Sequence, residues 1–403
     1  MTLAPRHWSL AVLALLAATP VMAQGRPRAR DLGLPFPGVP GPLNAITDVA
    51  GVEVGHATLI AGSGKLVRGT GPVRTGVTAV FPRGRRSPDP VFAAFAPLNG
   101  NGEMTGTHWL EESGFLNGPV LLTNTLSVGA VHEAVIAWAL KQGWPAWGFA
   151  LPVVAETWDG GLNDIEGFHV RREHAFQAMD RAAGGPVQEG SVGGGTGMMC
   201  HELKGGIGTA SRRLSGRDGG YTVGVLVQCN YGRRSRLSVL GVPVGAEISD
   251  LRPCSVLPAD ATQTEQFPAC PAGAGRERDS GSIIVIVATD APLLPHQLER
   301  VARRAGLGVG RTGGLGEDSS GDIFLAFSTA NPGAARDSAP PPLALLPNER
   351  INPIFEATVS ATEEAIVNAM LAAETMTGAD GNRVFALPAA RLVAAMRKYG
   401  RMR

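Results

Sequence analysis

The sequence is short of several things that would each define a function class. It has four cysteines among 403 residues, 5% aromatic residues, and no long run of one charge. Lysine and arginine (36) balance aspartate and glutamate (35), so the formal net charge is +1. Without a basic stripe there is no electrostatic footprint for nucleic acid or an anionic membrane surface, and neither is expected as a partner. No CxxC and no zinc-like spacing occurs, and HExxH is absent, so no metal is implied. The G-x-S-x-G elbow of the α/β-hydrolases is missing too. The eight histidines are scattered. His108, His132 and His296 fall in or beside predicted helices, where a structural role is expected. Gly308-x-Gly310-x-x-Gly313 matches the dinucleotide fingerprint, but a predicted helix precedes it and a strand follows, the reverse of what that fingerprint needs. No cofactor is expected.

The N-terminus carries Arg6, an apolar run over Trp8–Met22 and the small-residue stretch Val21-Met22-Ala23. This is the pattern of a cleavable signal peptide over 1–23, cut near Ala23-Gln24, and it predicts a periplasmic or secreted protein. No other apolar run is long enough to span a bilayer, so no membrane association is expected after signal removal.

Gly (54) and Pro (30) are plentiful, which predicts many turns. Residues 24–43 read as an extended Pro/Gly/Arg-rich arm. Short β-type runs (VTAVF, PVFAAFA, PVLLTNT) fill 43–125, and helices are predicted at about Ser127–Gln142 and Ile165–Ala183. Residues 190–211 read as a Gly-dense turn region. YTVGVLVQCN (221–230) is a buried strand. A helix is expected at about Leu294–Ala305, then the loop GLGVGRTGGLGEDSSG and the strand DIFLAFST (322–329). Two helices close the chain, the first capped by Asn352 and ended by Gly378, the second running from Pro388 to near Gly400. Strands packed between helices predict a layered α/β fold in a single domain.

The exported location permits disulfides. Cys254 and Cys270 share one Pro/Ala-rich loop, so a Cys254–Cys270 bond is expected. Cys200 and Cys229 sit in apolar contexts and read as buried free thiols.

One junction carries chemistry. Residues 251–281 are irregular, and SIIVIVATD (282–290), the strongest strand of the chain, begins at once after Gly281. Glycine reaches backbone angles closed to other residues. Strain there would help the Ser282 hydroxyl attack the preceding carbonyl. An N-to-O acyl shift and hydrolysis would then leave a chain beginning with Ser282. Its free α-amine could accept the proton of its own hydroxyl without any histidine. A serine at an ordinary strand start is the plainer alternative.

Family resemblance favours the chemical reading. DSGSIIVIVATDAPLLPHQLERVARRAGLGVGRTGG…SSGDIFLAFST, LNAITDVAGVEVGH (43–56), NGEMTGTHWLEESG (101–114), PVVAETWDGGLND (152–164) and VQCNYG (227–232) resemble the L-aminopeptidase D-esterase / β-aminopeptidase family of self-processing hydrolases. The resemblance covers nearly the whole mature chain. It implies a four-layer αββα sandwich and self-cleavage into a larger chain (24–281) and a smaller one (282–403). It also implies a homo-oligomer of such cut pairs, and an aminopeptidase that removes small L-residues, β-amino acids or D-residues (as amides or esters) from short substrates with a free amine. By the same resemblance, Ser282 is the nucleophile. Ser320 and Asp322 match the supporting S-x-D/E pair, with Ser320 hydrogen-bonding to Ser282 and relaying protons. Asn230 would donate to the oxyanion, and Glu156 would hold the substrate amine. Trp158 stands where the family usually has tyrosine, which keeps an aromatic wall and removes a hydroxyl. The Cys-bearing stretch before Gly281 is longer than the family norm. The competing functions are an acyltransferase like the ornithine acetyltransferases and an inactive exported binding protein. The former favour a threonine nucleophile, and the latter has no need for Ser282, Ser320 and Asp322 together.

Overall fold

A computed structural model describes residues 26–144, 150–258, 264–271, 281–336 and 341–402. The expected signal peptide and the residues immediately before Gly281 lie outside these. Strands β1 (Glu53–Ala61), β2 (Val73–Phe81), β5 (Val120–Asn124) and β6 (Val153–Thr157) form a four-stranded sheet in the order β1-β2-β5-β6. Strands β3 (Val91–Pro97), β4 (Phe115–Leu116), β7 (Gly206–Arg213), β8 (Thr222–Asn230), β9 (Ser282–Thr289) and β10 (Ile323–Ser328) form a six-stranded sheet in the order β4-β3-β10-β9-β8-β7. The helices are α1 (Thr107–Ser113), α2 (Val128–Lys141), α3 (Arg172–Asp180), α4 (Val244–Glu247), α5 (Pro295–Arg311), α6 (Asn352–Ala372) and α7 (Ala389–Lys398).

The side-chain alternation of the strands builds the layers. Val80, Leu122 and Ala155 of the smaller sheet meet Leu226, Ile284, Ile286 and Leu325 of the larger one between the sheets. The outer face of the smaller sheet packs Val77, Ala79 and Leu121 against Val131, Val135 and Trp138 of α2 and Met179 of α3. The outer face of the larger sheet packs Val225, Val285 and Val287 against Leu298 and Val301 of α5 and Ile366 and Met370 of α6. The result is the expected αββα stack. β9 is central and buried on both faces, which is why its sequence is an unbroken apolar run. Each such aliphatic side chain contributes about 1.5–3 kcal/mol when fully buried. No helix of the described residues is long and apolar enough to cross a membrane.

Several boundaries differ from the sequence reading. The Gly-dense stretch 190–211 is not all turn, because its second half is strand β7. A Cβ on Gly208 would lie 2.0 Å from the carbonyl oxygen of Ala365, so the glycine marks a place where α6 rests on the strand backbone. Helix α5 runs on to Arg311, through three glycines of the supposed loop (Gly306, Gly308 and Gly310). A Cβ on Gly308 would lie 2.6 Å from the Thr362 side chain, so Gly308 permits close approach of α5 and α6. The helix expected over Ile165–Ala183 occupies only Arg172–Asp180, after a separate turn at Ile165–Gly167 and a left-handed Phe168 (φ +51°). α6 ends at Ala372 rather than at Gly378, because Met376 and Thr377 pair with Val384 and Arg383 as a strand. Ile351, and not Asn352, precedes its first turn.

The Cys254–Cys270 disulfide is present, with Cα atoms 5.2 Å apart. The free-thiol expectation for Cys200 and Cys229 is wrong: they form a second disulfide, Cα atoms 5.6 Å apart. Both lie in apolar segments, but the chain reversal between them brings the two thiols together, which local composition does not reveal. Non-reducing peptide mapping of protein expressed under oxidising conditions should find both bonds and no free thiol. Removing either bond should lower stability by about 3 kcal/mol in the chain-entropy model.

Candidate active site

Ser282 opens β9 and lies directly opposite Asn230, the last residue of β8, in the antiparallel register. Gly281 before it has φ +143°, and a Cβ there would fall 2.0 Å from the carbonyl oxygen of Asn230. Both the backbone angle and the lack of space require glycine at this position. On the other flank, Gly281 forms a parallel bridge with Ser320. Ser282 is nearly buried, and its Oγ accepts a hydrogen bond from the Gly321 amide at 3.0 Å.

Ser320 and Asp322 are beside it. Ser320 Oγ donates to Asp322 Oδ1 at 2.6 Å, and the same oxygen accepts from the Ile283 amide at 3.2 Å. Among the described residues, the partner of the Ser282 hydroxyl is thus the Gly321 amide, where the sequence reading expected Ser320. Burial pushes the Asp322 carboxyl up to about 6, against the opposing effect of those hydrogen bonds.

Asn230 uses its amide at both ends. Its Oδ1 accepts from the Met199 amide at 2.8 Å, and its Nδ2 donates to the Trp158 carbonyl at 2.9 Å. A primary amide has two N–H groups, so this bond uses one of the two.

Glu156 is buried at the end of β6. Its two carboxylate oxygens accept from the Glu103 amide at 3.0 Å and from the Thr125 hydroxyl. Burial raises its pKa, while those two donors oppose the rise. Trp158, two residues on, is half exposed and lies against Gly160. The loop 99–103 links the two halves of the site. Asn99 Oδ1 accepts from the Asp322 amide at 2.6 Å, Asn101 Nδ2 donates to the Ser319 carbonyl at 2.8 Å, and Glu103 holds Glu156. Gly321 has no room for a side chain, since its Cβ would lie 2.4 Å from the Asn101 carbonyl oxygen. The glycine of Ser320-Gly321-Asp322 is therefore a packing requirement.

Sequence reasoning missed Asn99, Asn101 and Lys204. The first two stand at or just before the NGEMTG motif, and that position was their only signal. Lys204 is fully buried, and its Nζ donates to the carbonyls of Met198 (2.7 Å), Gly205 (2.9 Å) and Gly195 (3.4 Å). It braces the turn whose next residue, Met199, holds Asn230. Desolvation lowers its pKa to about 7. Nothing in the local sequence GGIG around Lys204 announces this role. His56 and His201 are both pushed down to about 4 by burial and so stay neutral.

Two packed sheets between helix layers, with Ser282 heading a doubly buried central strand, match the layering of the N-terminal-nucleophile hydrolase fold. Comparison with known proteins makes the assignment specific. The chain belongs to peptidase family S58, whose sequence pattern matches residues 44–384. It is 53% identical to the beta-peptidyl aminopeptidase BapA of Sphingosinicella microcystinivorans, over 97% of each chain. Among solved structures, a Burkholderia sp. beta-aminopeptidase aligns at 46% identity with a TM-score of 0.79, over 93% of this chain and 99% of that one. The L-aminopeptidase D-Ala-esterase/amidase of Ochrobactrum anthropi, described as a variant of the Ntn hydrolase fold, aligns at 45% identity with a TM-score of 0.83, over 94% and 100%. The chain is accordingly a serine-type aminopeptidase, and the acyltransferase alternative is set aside.

Proposed function

We propose that the protein cuts itself between Gly281 and Ser282 and then removes small first residues, β-amino acids among them, from short peptides, amides or esters. The observation that carries this reading is the Gly281–Ser282 junction: a glycine in a conformation closed to other residues, followed by a hydroxyl set on the Gly321 amide beside Ser320 and Asp322. In the first reaction Ser282 Oγ adds to the Gly281 carbonyl, the Ser282 nitrogen leaves as an amine, and water hydrolyses the resulting ester. This divides the chain into 24–281 and 282–403. In the second, the freed α-amine accepts the Ser282 hydroxyl proton as Oγ adds to the substrate carbonyl. The leaving amine takes a proton, and water releases the acyl group. Asn230 donates its second N–H to the oxyanion, where such a donor is worth about 2.7–4 kcal/mol. Ser320, its own proton directed to Asp322, offers lone pairs to the α-ammonium and the reacting hydroxyl. Glu156 pairs with the substrate amine.

The β-peptidyl activity named for the relatives supports the β-amino acid class. The N-terminal pattern supports export with removal of 1–23, and two disulfides are compatible with an oxidising compartment. A homo-oligomer of cut pairs is part of the same proposal. The test is a purified preparation first examined on a denaturing gel and then given alanine and β-alanine p-nitroanilides. Two chains and free amino acid product support the reading. A single uncut chain with full activity would falsify the self-cleavage mechanism.

The state of Asp322 sets the acid side of the pH profile. Ser320 can direct its proton to Asp322 only while that carboxyl is ionised, and its pKa is raised to about 6. The rate should fall as pH drops through about 6. Asp322→Asn should fold, lose about 100-fold in kcat, and lose that limb. Asp159, also pushed up to about 6 by burial, remains in the variant. An acid limb near 6 that survives Asp322→Asn unchanged would belong to another group, Asp159 or the Ser282 α-amine, and contradict the assignment.

A further inference from the structure

We propose that residues 264–270, held by the Cys254–Cys270 disulfide, form one wall of the pocket for the substrate's first residue, with Gln266 limiting how large that residue can be. The inference rests on the aminopeptidase reading above and deepens it. A cavity of about 20 Å³ lies against Gly281, lined by Trp158, Met199, Glu202, Asn230, Gly232 and Gln266. Gly281 supplies the carbonyl that Ser282 takes up in self-cleavage. These residues therefore surround an acyl group on its way to Ser282 Oγ. A space of that size holds about one water and no side chain. Glycine is what this position accommodates while the wall is in place.

The wall is built to stay where it is. The Ser255 amide donates to the Pro268 carbonyl at 2.8 Å, and the Cys270 amide donates to the Ser255 carbonyl at 2.9 Å. A tight turn, with the Phe267 amide on the Thr264 carbonyl at 3.0 Å, puts Gln266 next to a firm anchor. That anchor is Phe267, buried with Leu162 and Val384 and flanked by Met199 and Met376. A Cβ on Gly161 would come within 3.3 Å of both the Phe267 ring and the Met199 methyl, so this glycine makes the seat for the ring. The anchored turn thus touches the loop that follows Trp158 and also Met199, which holds Asn230. Gln266 and Trp158 then border the same small space from two separate parts of the chain.

The disulfide has a particular use in this arrangement. Once the chain is cut after Gly281, everything beyond Cys270 becomes a chain end. A wall attached to a free end would lose its order, since the cut removes the downstream tether. Cys254 lies upstream of the cut and pairs with Arg383 of the short C-terminal ribbon in the smaller chain, so the bond ties the wall to the folded body independently of the cut end.

The experiment uses fully cut protein and compares kcat/KM on Ala-, Leu- and Phe-p-nitroanilide. Gln266→Ala should raise the Leu/Ala and Phe/Ala ratios about tenfold or more, the range that small differences of pocket size command. Gln266→Met, similar in volume, should keep the wild-type ratios. The double variant Cys254→Ser/Cys270→Ser should shift the ratios in the same direction as Gln266→Ala. Ratios unmoved by Gln266→Ala, in a wild type that is cut and hydrolyses the alanine substrate, overturn the inference alone. A cut wild type that hydrolyses none of the three overturns the aminopeptidase reading and the inference with it.

Discussion

Ser282→Ala should run as one chain on a denaturing gel and release no measurable product from any free-amine substrate. In the proposed mechanism both reactions use the same oxygen, so removing that one atom is expected to abolish maturation and turnover together. The variant should nevertheless fold. Among the described residues Ser282 Oγ accepts one hydrogen bond, from Gly321, and β9 is held by its pairing with β8 and β10 and by the apolar side chains that follow. Loss of that one bond costs about 1–3 kcal/mol through the buried Gly321 amide left unpaired. The smaller chain of the wild type should read Ser-Ile-Ile-Val at its N-terminus. Ser282→Cys is the informative companion. A thiol can still perform the acyl shift, so this variant should cut, while its turnover falls. A Ser282→Ala protein that appears as two chains would show that another group, or a contaminating protease, makes the cut.

The next largest effect concerns Glu156. Wild-type enzyme should hydrolyse N-acetyl-Ala-p-nitroanilide at least about 100-fold less efficiently than Ala-p-nitroanilide, chiefly in kcat/KM. The physical reason is the carboxylate's environment. Glu156 is buried, and its only compensation among the described residues is the Glu103 amide and the Thr125 hydroxyl. Burial raises its pKa, so the ionised form is held at a cost that a substrate ammonium relieves. Breaking a buried charge pair by deleting one partner costs about 3–5 kcal/mol. An acetyl cap deletes the substrate's partner. Glu156→Gln deletes the protein's, and should lower the rate on the free amine while leaving the capped substrate nearly unaffected. The two substrates should then differ by less than about tenfold, because the neutral amide has no charge to match. Equal hydrolysis of both by wild type would mean that Glu156 is no amine clamp and that the pocket accepts chain interiors.

Parts of this site were legible before any coordinates because they rest on local pattern. β9 is an unbroken apolar run, so its burial on both faces and its start at Ser282 follow from the residues themselves. The resemblance named Ser282, Ser320, Asp322, Asn230 and Glu156, and the fold gathers them: Asn230 faces Ser282 across two strands, and the loop carrying Asn99, Asn101 and Glu103 joins the Ser320–Asp322 turn to Glu156. What could not be read was which partner each polar atom takes. Ser282 Oγ meets a backbone amide rather than Ser320, and the Asn230 side chain meets two backbone groups. Backbone donors carry no residue signature, so sequence has no means of nominating them.

By itself, then, the sequence determined the layered α/β class, the family, the strand that carries Ser282, and the glycine that must precede it. Each is written in periodicity or in a contiguous motif. The tertiary structure alone decided the Cys200–Cys229 bond, strand β7 within the glycine-dense stretch, the extension of α5 through its glycines, and the three carbonyls held by Lys204. All of these depend on segments distant in sequence arriving within a few ångströms of one another. A glycine looks like a turn until a helix is found lying on it, and a lysine looks solvated until the chain closes over it. Local propensity weighs fractions of a kcal/mol per residue, about 1 for glycine. Burial and close packing weigh several, so where the two conflict the packing decides.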